Sequence, residues 1–394
     1  MKTVLAYSGG LDTSVSIKIL QENYASDVIT VTVDVGQPKA KIKEAERKAK
    51  KLGVIKHFTI DAKEEFVKEF LFPAIRANAT YEGYPLGTAL ARPLIIMKAI
   101  EIACKEKAEA IAHGCTGKGN DQFRFEFGIR AKAPELKIIA PIRDLNLTRK
   151  EEIEYAKEHG IPILNDKPFS VDENLWSRSI EGGVLEDPAT KPEEAIYEWT
   201  ISPEKAPNRP EILKINFKNG VPVSINGEKM GPVELIQVVK VLAGKHGIGR
   251  IDIIENRIIG LKAREIYEAP AALTLITAHK QLESLVLTKD ELKFKEVVDS
   301  TWSELAYKGL WFDPLKDDLE AYINKTQERV TGQVTLKLFK GAILPLARSS
   351  PFALYVPEVV SFDVKSFDQH EVTGMLKFHG FQAQLFESKK KKKQ

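Results

Sequence analysis

Hydrophobic positions in the first 165 residues fall into short continuous runs separated by stretches with helical spacing. Val4-Leu5-Ala6-Tyr7 is an apolar run that feeds a Ser8-Gly9-Gly10 turn and the hydroxyl-rich opening of a helix. Residues 28–35 form a second such run, followed by a charged helical stretch over 40–52; 55–60 read as a further strand and 64–72 as a further helix. Across 92–107, Ile95, Ile96, Ala99, Ile100 and Ala103 share one helical face. The chain re-enters the sheet at 109–113 and again at 138–142, and Thr148-Arg149-Lys150-Glu151 is a capping box opening a helix that stops near Gly160-Ile161-Pro162. Apolar strands alternating with helices predict an α/β fold: a parallel sheet covered on both faces, with ligands outside the strand carboxyl ends.

Beyond Asn165 the period changes. Polar, proline-punctuated sequence runs over 168–210, and then 212–217 and 221–225 flank Lys218-Asn219-Gly220, a strong hairpin signal. A helix over 233–242, a strand over 250–255, helices over 271–286 and 289–307 and a hairpin around Lys340-Gly341 complete an α+β pattern. The expected organisation is a first domain over 1–165, a second α+β domain over 166–365, and a C-terminal arm with a lysine-rich tail over 366–394. Within that arm, 375–386 reads as a helix with Phe378, Phe381, Leu385 and Phe386 too far along the chain to be buried in either core. Another copy of the chain is its expected partner, which makes the protein a homo-oligomer.

Composition permits an enzyme of this size and removes several other classes. At 394 residues, 43% hydrophobic and 29% charged, the chain can support two cored domains. The formal charge of +3 includes five lysines over 389–393, without which the chain is slightly acidic. The body therefore shows no basic nucleic-acid face, and the lysine run reads first as a solvated tail and second as an attractor for nucleic acid or membrane. Cys104 and Cys115 are the only cysteines, and neither a signal-type apolar segment nor a membrane-length apolar run occurs. No disulfide framework, membrane partner or secretion is expected, and the default location is a reducing cytoplasm. Cys104 falls in an apolar helix as a core residue, and Cys115 in a polar loop without a second cysteine. The seven histidines show no metal spacing, so no protein metal site and no catalytic histidine are expected.

Four segments carry candidate chemistry. In Ser8-Gly9-Gly10-Leu11-Asp12-Thr13-Ser14, glycines admit an oxyanion to backbone N–H groups, a helix N-terminus supplies unpaired donors, and three hydroxyls add more. Gly10 is the position expected to need positive φ. The same residues also suit an ordinary strand-to-helix turn. The order lacks the Gly-Lys-Ser/Thr ending of a P-loop and the third glycine of a dinucleotide fingerprint. Tyr84 to Pro93 places Arg92 at the mouth of a helix, where its fork can hold a carboxylate, or where it can be a surface residue. His113 to Arg124 follows a strand and so lies at a ligand-facing edge; Thr116 to Asp121 can equally be a plain glycine loop. Ser170 to Ser179 is either a fourth ligand segment or a capped turn.

The first segment resembles the pyrophosphate loop of the N-type ATP pyrophosphatases, which implies an adenine nucleotide α-hydrolase-like fold and AMP-forming chemistry. Taken together, Ala6 to Ser14, Leu86 to Pro93, Thr116 to Asp121, Ser170 to Leu175, Gly247 to Asp252 and Glu255-Asn256-Arg257 resemble the argininosuccinate synthase family over nearly the whole chain. That resemblance implies a ligase joining citrulline to aspartate, with ATP cleaved to AMP and pyrophosphate through a citrullyl-adenylate, in a cytoplasmic homotetramer. It implies ATP contacts from Ala6, Tyr7, Ser8, Gly9, Gly10, Leu11, Asp12, Thr13, Ser14, Val33 and Gly114, with Mg²⁺ on the phosphates. Thr116, Asn120 and Asp121 would contact aspartate. Tyr84, Thr88, Arg92, Asn120, Arg124, Ser170, Ser179, Glu255 and Tyr267 would surround citrulline. Asp12, Asn120 and Asp121 would be the catalytic residues. Ala89 stands where other members carry a hydroxyl residue, so a contact there has to come from backbone. The second domain would be a synthetase and multimerisation domain. The nearest alternative, a tRNA-modifying ATP pyrophosphatase, calls for a basic RNA face and, for thiolation, paired reactive cysteines.

Overall fold

The computed structural model describes residues 1–162 and 169–391. The expected boundary at 165/166, Pro168 at the head of the polar stretch, and Lys392 and Lys393 of the lysine run lie outside them. The chain forms two compact units, Met1–Phe352 and Ala353–Gln394.

In the first unit, strands Lys56–Asp61, Asp27–Asp34, Lys2–Ala6, Ala110–Ala112 and Lys137–Ile139 form, in that spatial order, a five-stranded sheet that is parallel throughout. Both faces are apolar because both are covered. Val4, Ile29, Val31 and Ile111 pack with Leu94 and Ala99 of helix Thr88–Glu106. On the other face, Leu5, Val28 and Ala110 meet Val15 and Ile19 of helix Leu11–Asn23 and Ala156 of helix Arg149–Glu158. The chain leaves Lys2–Ala6 toward one side of the sheet and later re-enters beside it on the other, so the loops following Lys2–Ala6 and Ala110–Ala112 diverge and leave a crevice at the carboxyl edge.

Prolines account for two departures from the expected elements. The strand expected over 138–142 ends at Ile139, and Pro141, which cannot donate to a ladder, opens the short helix Pro141–Asp144. The helix expected over 64–72 runs from Lys63–Phe66 through a π-helical turn, Val67–Leu71, into Phe72–Arg76. Pro73 lacks the N–H that would close the regular bond to Glu69, which suits a wider turn. The capping box at Thr148 forms, with the Thr148 side chain on the Glu151 amide and Glu151 reaching back.

Besides a two-stranded antiparallel ribbon, Thr80–Tyr81 with Tyr84–Pro85, the remainder of the first unit holds two larger antiparallel sheets. Strands Glu211–Lys218 and Val221–Ile225 pair through Asn219 and Gly220, both at positive φ (51° and 75°), the geometry of a type I′ turn. Gly332–Phe339 and Ala342–Ser349 pair likewise around Lys340-Gly341, and with Glu228–Lys229 they complete five strands. The other sheet, in the order Arg250–Asn256, Lys262–Glu268, Arg178–Glu181 and Ser170–Glu173, includes three strands that hydrophobic patterning left unassigned. Helices Asp121–Lys132 and Pro314–Gln327 were unassigned as well. Cys104, expected in the core, lies on the exposed side of its helix. No helix among the described residues is long and apolar enough to cross a membrane.

In the second unit the helix expected over 375–386 is two helices, Glu371–Phe378 and Phe381–Lys391, broken at Gly380 with φ 72°. Phe362, Met375, Phe378, Phe381, Leu385 and Phe386 are all exposed.

Candidate active site

The first wall of the site is the loop after Lys2–Ala6. Gly9 has φ 79°, and a Cβ there would lie 2.8 Å from the Ala45 Cβ, so glycine is required by both conformation and packing. Gly10, where positive φ was expected, has φ −69° and serves as the N-cap of helix Leu11–Asn23 with no side-chain cap. The first-turn N–H groups therefore open onto the crevice. Lys48 donates to the Gly9 carbonyl at 2.7 Å and pins the loop on helix Lys39–Lys51. The Ser8 and Thr13 hydroxyls lie 3.2 Å apart at the surface of the loop. Ser14 faces inward: its hydroxyl donates to the Gly10 carbonyl at 2.7 Å and sits 3.2 Å from the Tyr7 hydroxyl. Arg149 bonds the Asp12 carboxylate at 2.9 Å. Beside Asp12, burial and then the Asp12 charge push the Glu152 carboxyl up to about 8.

The second wall is the loop after Ala110–Ala112, which ends in helix Asp121–Lys132. A Cβ on Gly114 would stand 2.9 Å from Thr13 Cγ2 and 3.0 Å from Thr13 N, so the two loops touch only because Gly114 has no side chain. Asn120 ties this wall to the antiparallel half: its Nδ2 donates to the Tyr307 hydroxyl at 2.8 Å, and its Oδ1 accepts from the Ile258 amide at 3.0 Å. Asp121 receives Arg92 Nε at 2.8 Å and Arg124 Nη1 at 2.9 Å. Burial alone would raise the Asp121 carboxyl, but these two guanidinium groups outweigh it and hold it below the usual range. Arg92 lies one turn into helix Thr88–Glu106 rather than at its mouth. It also pairs with Asp172, which accepts from the Thr88 hydroxyl at 3.0 Å. Burial drives the Cys115 thiol well above its normal range, which disfavours the thiolate.

The third wall follows from strand register. Asp172 faces Ser179, Ser170 faces Glu181, Tyr267 faces both Ser179 and Ile251, and Glu265 faces Ile253. Because side chains alternate, Ser170, Asp172, Ser179, Glu181, Glu255, Glu265 and Tyr267 share one face, while Val171, Ile180 and Ile266 pack behind it. Tyr84 stacks on Tyr267 with ring centroids 4.1 Å apart. The Tyr307 hydroxyl lies 2.9 Å from Glu255.

All three walls border a single cleft of about 600 Å³. Its lining contains each candidate residue named above except Ser14, including Ala6, Leu11, Val33, Thr116 and the exposed Ser170. It also contains Asp172, Glu181, Arg257 and Glu265, which were not singled out. Asp172 and Arg257 lay inside quoted motifs. Glu181 and Glu265 carried a signal only in their spacing two residues from Ser179 and Tyr267.

A glycine loop and an open helix N-terminus at the switch point of a parallel sheet make a crevice of the kind in which α/β proteins hold the phosphates of a nucleotide. Two family models cover almost the whole chain: the arginosuccinate synthase N-terminal HUP domain over residues 2–162 and the C-terminal domain of the same enzyme over 169–386. The chain is 66% identical over 391 residues to the argininosuccinate synthase of Methanocaldococcus jannaschii, covering 99% of both chains. It is 61% identical to that of Archaeoglobus fulgidus (98% of this chain, 99% of the relative) and 60% identical to that of Methanococcus maripaludis (98% and 97%). The chain belongs to the argininosuccinate synthase family.

Proposed function

We propose a division of labour within this cleft for the family's reaction. The enzyme ligates citrulline to aspartate, consuming ATP and releasing AMP and pyrophosphate, as a carbon–nitrogen ligase of arginine biosynthesis. The observation that carries the assignment is the contact of Gly114 with Thr13, which puts the candidate pyrophosphate loop and the Thr116–Asn120–Asp121 loop on one crevice.

A ureido oxygen is a poor leaving group, and its attack on the α-phosphorus of ATP converts it into AMP. The amine of aspartate then displaces AMP at the ureido carbon. The first step joins the ureido oxygen to phosphorus as pyrophosphate leaves, and the second joins the amine to the ureido carbon as AMP leaves; both bring charged substrates together, so positioning and electrostatics carry the catalysis and no side-chain nucleophile is needed. Ala6 to Thr13 with Val33 and Gly114 hold ATP, and Ser14 braces the loop from behind. Tyr84, Thr88, Arg92, Arg124, Ser170, Ser179, Glu255 and Tyr267 surround citrulline. Thr116 and Asp121 take aspartate, and Asn120 borders both amino acids. Before substrate binds, Arg92 is held by Asp121 and Asp172, so a substrate carboxylate enters a site whose charges are already balanced in pairs.

No group of three or more His, Cys, Asp or Glu able to hold a metal occurs among the described residues. The donor set fits Mg²⁺ brought in on ATP, with Asp12 the carboxylate at the loop, and the ion would neutralise phosphate charge. The proposed domain division falls at 165/166 and 365/366, with the 366–394 arm docking on another copy in a cytoplasmic tetramer.

A coupled assay for pyrophosphate release tests the function. Sustained release is expected only when ATP, citrulline and aspartate are all present. Release that ignores the omission of either amino acid contradicts the assignment.

A further inference from the structure

The citrulline side of the cleft holds a surplus of carboxyl groups. Glu181, Glu255 and Glu265 converge there, and the one guanidinium among them, Arg257, pairs with Glu181 and stands 3.5 Å from Glu265. With all three carboxyl groups ionised the cluster would carry two uncompensated negative charges, whereas an amino acid brings one ammonium.

The hydrogen bonds make a second count. The Tyr267 hydroxyl oxygen lies 2.6 Å from Glu265 Oε2 and 3.0 Å from Glu255 Oε2. A tyrosine hydroxyl has one proton and can donate to only one of them. The other short contact needs a proton of its own, or two oxygens face each other with none between. Glu255 is the better anion, since Tyr307 at 2.9 Å and Asn120 at 3.4 Å also direct donors toward its Oε1. Beyond the Tyr267 contact, the one donor toward Glu265 among the described residues is Arg257, at 3.5 Å and shared with Glu181.

The geometry points to Glu265 as a positioning residue: a neutral carboxylic acid that donates to the Tyr267 oxygen, aims the Tyr267 proton at Glu255 and so leaves one net negative charge for the ammonium of citrulline. The inference rests on the proposed contact of Tyr267 and Glu255 with citrulline. The surroundings agree with a neutral Glu265. Burial, followed by the charges of Glu181 and Glu255, drives its carboxyl well above the usual range, and Tyr267 and Arg257 oppose this without reversing it. Those four residues, from its own strand, the two flanking strands and the turn after Asn256, are the titratable groups among the described residues that act on it most strongly. With Glu265 neutral, Glu181 is balanced by Arg257 and Glu255 by the incoming ammonium. Loss of the Glu265 proton at higher pH would pull the Tyr267 proton back from Glu255 and weaken citrulline binding.

Two measurements on the full chain separate this from a structural role. Infrared difference spectra of wild type against E265Q at neutral pH should show a protonated-carboxyl C=O band that E265Q lacks; loss of carboxylate bands alone overturns the proposal. In kinetics, E265A should raise the citrulline KM about three- to tenfold, the worth of one neutral hydrogen bond, with kcat and the ATP KM nearly unchanged. E265Q keeps a donor toward Tyr267, so it should restore the citrulline KM and abolish the wild-type rise of that KM on the alkaline side. An E265Q enzyme as impaired as E265A, or equal changes for ATP and citrulline, overturns it. Y267F tests the underlying contact: an unchanged citrulline KM there removes the kinetic link to citrulline, while the infrared band still decides whether Glu265 carries the proton.

Discussion

Gly114 and Thr13 lie so close that a single methyl on Gly114 would come within 2.9 Å of Thr13 Cγ2. Through this contact the two loops that diverge from the switch point share one cleft. G114A should therefore weaken ATP binding about tenfold or more while leaving the fold intact. Calorimetric titration of ATP, with circular dichroism as the control for folding, measures both; unchanged affinity would separate the loops functionally.

The same loop distinguishes its two glycines. G9A meets both a positive φ and the Ala45 side chain, and should cost about 1–3 kcal/mol in stability or an equivalent loss of ATP affinity. G10A meets only Ser8 Oγ at 3.3 Å, at a φ any residue adopts, and should be the milder change. Denaturant melts and ATP titrations of the pair give the ranking, and equal effects would contradict it.

Arg92 bridges Asp121 and Asp172 with one planar fork, Nε and Nη2 both on Asp121 and Nη2 also on Asp172, a geometry that lysine cannot reproduce. R92K should raise the citrulline KM by about thirtyfold or more, the lower end of the 2–5 kcal/mol typical of a broken desolvated pair, and leave the ATP KM nearly unaltered. D121N should instead separate the half-reactions, slowing aspartate-dependent turnover far more than citrulline-dependent exchange of pyrophosphate into ATP. Normal citrulline kinetics in R92K, or equal loss of both steps in D121N, would reassign these residues.

The parallel sheet was legible in the sequence because each of its main strands is apolar on both faces, and so were the hairpins, because Asn219-Gly220 and Lys340-Gly341 mark their turns. Of the sheet that builds the third wall, the strand over 250–255 was legible and the other three were not. Their cleft-facing positions, from Ser170 and Asp172 to Glu265 and Tyr267, are polar because they face the cleft, which makes these strands look like loops. The same effect hid Glu181 and Glu265: their place depends on cross-strand register, which no local pattern reports. The break at Gly380 was hidden by the helical spacing of the phenylalanines on either side of it.

Glu126 supplies a prediction in pH. His113, whose Nε2 lies 3.5 Å away, lowers it, burial opposes, and Arg143 and Arg130 lower it further, leaving it at about 2 against an ordinary 4.5. A depressed carboxyl stabilises the fold above its unfolded value and loses that contribution as pH falls toward the folded one. E126Q should therefore be less stable than wild type at neutral pH, by an amount on the order of 2–3 kcal/mol. The gap should narrow from about pH 4.5 downward and close near pH 2. Urea melts across that range check it; a gap independent of pH would assign the loss to packing.

The unit Ala353–Gln394 exposes Phe362, Met375, Phe378 and Phe386 together, an apolar surface that soluble monomers rarely carry. Deleting residues 353–394 should lower the mass measured by light scattering while ATP binding persists. An unchanged mass would place the oligomer contacts elsewhere.

The central claim is that citrulline is adenylylated in this cleft before aspartate enters the chemistry. With citrulline labelled by ¹⁸O in its ureido group, mass spectrometry of the products of complete turnover should find the label in AMP. Label in pyrophosphate, or AMP carrying only ordinary oxygen, would contradict the account.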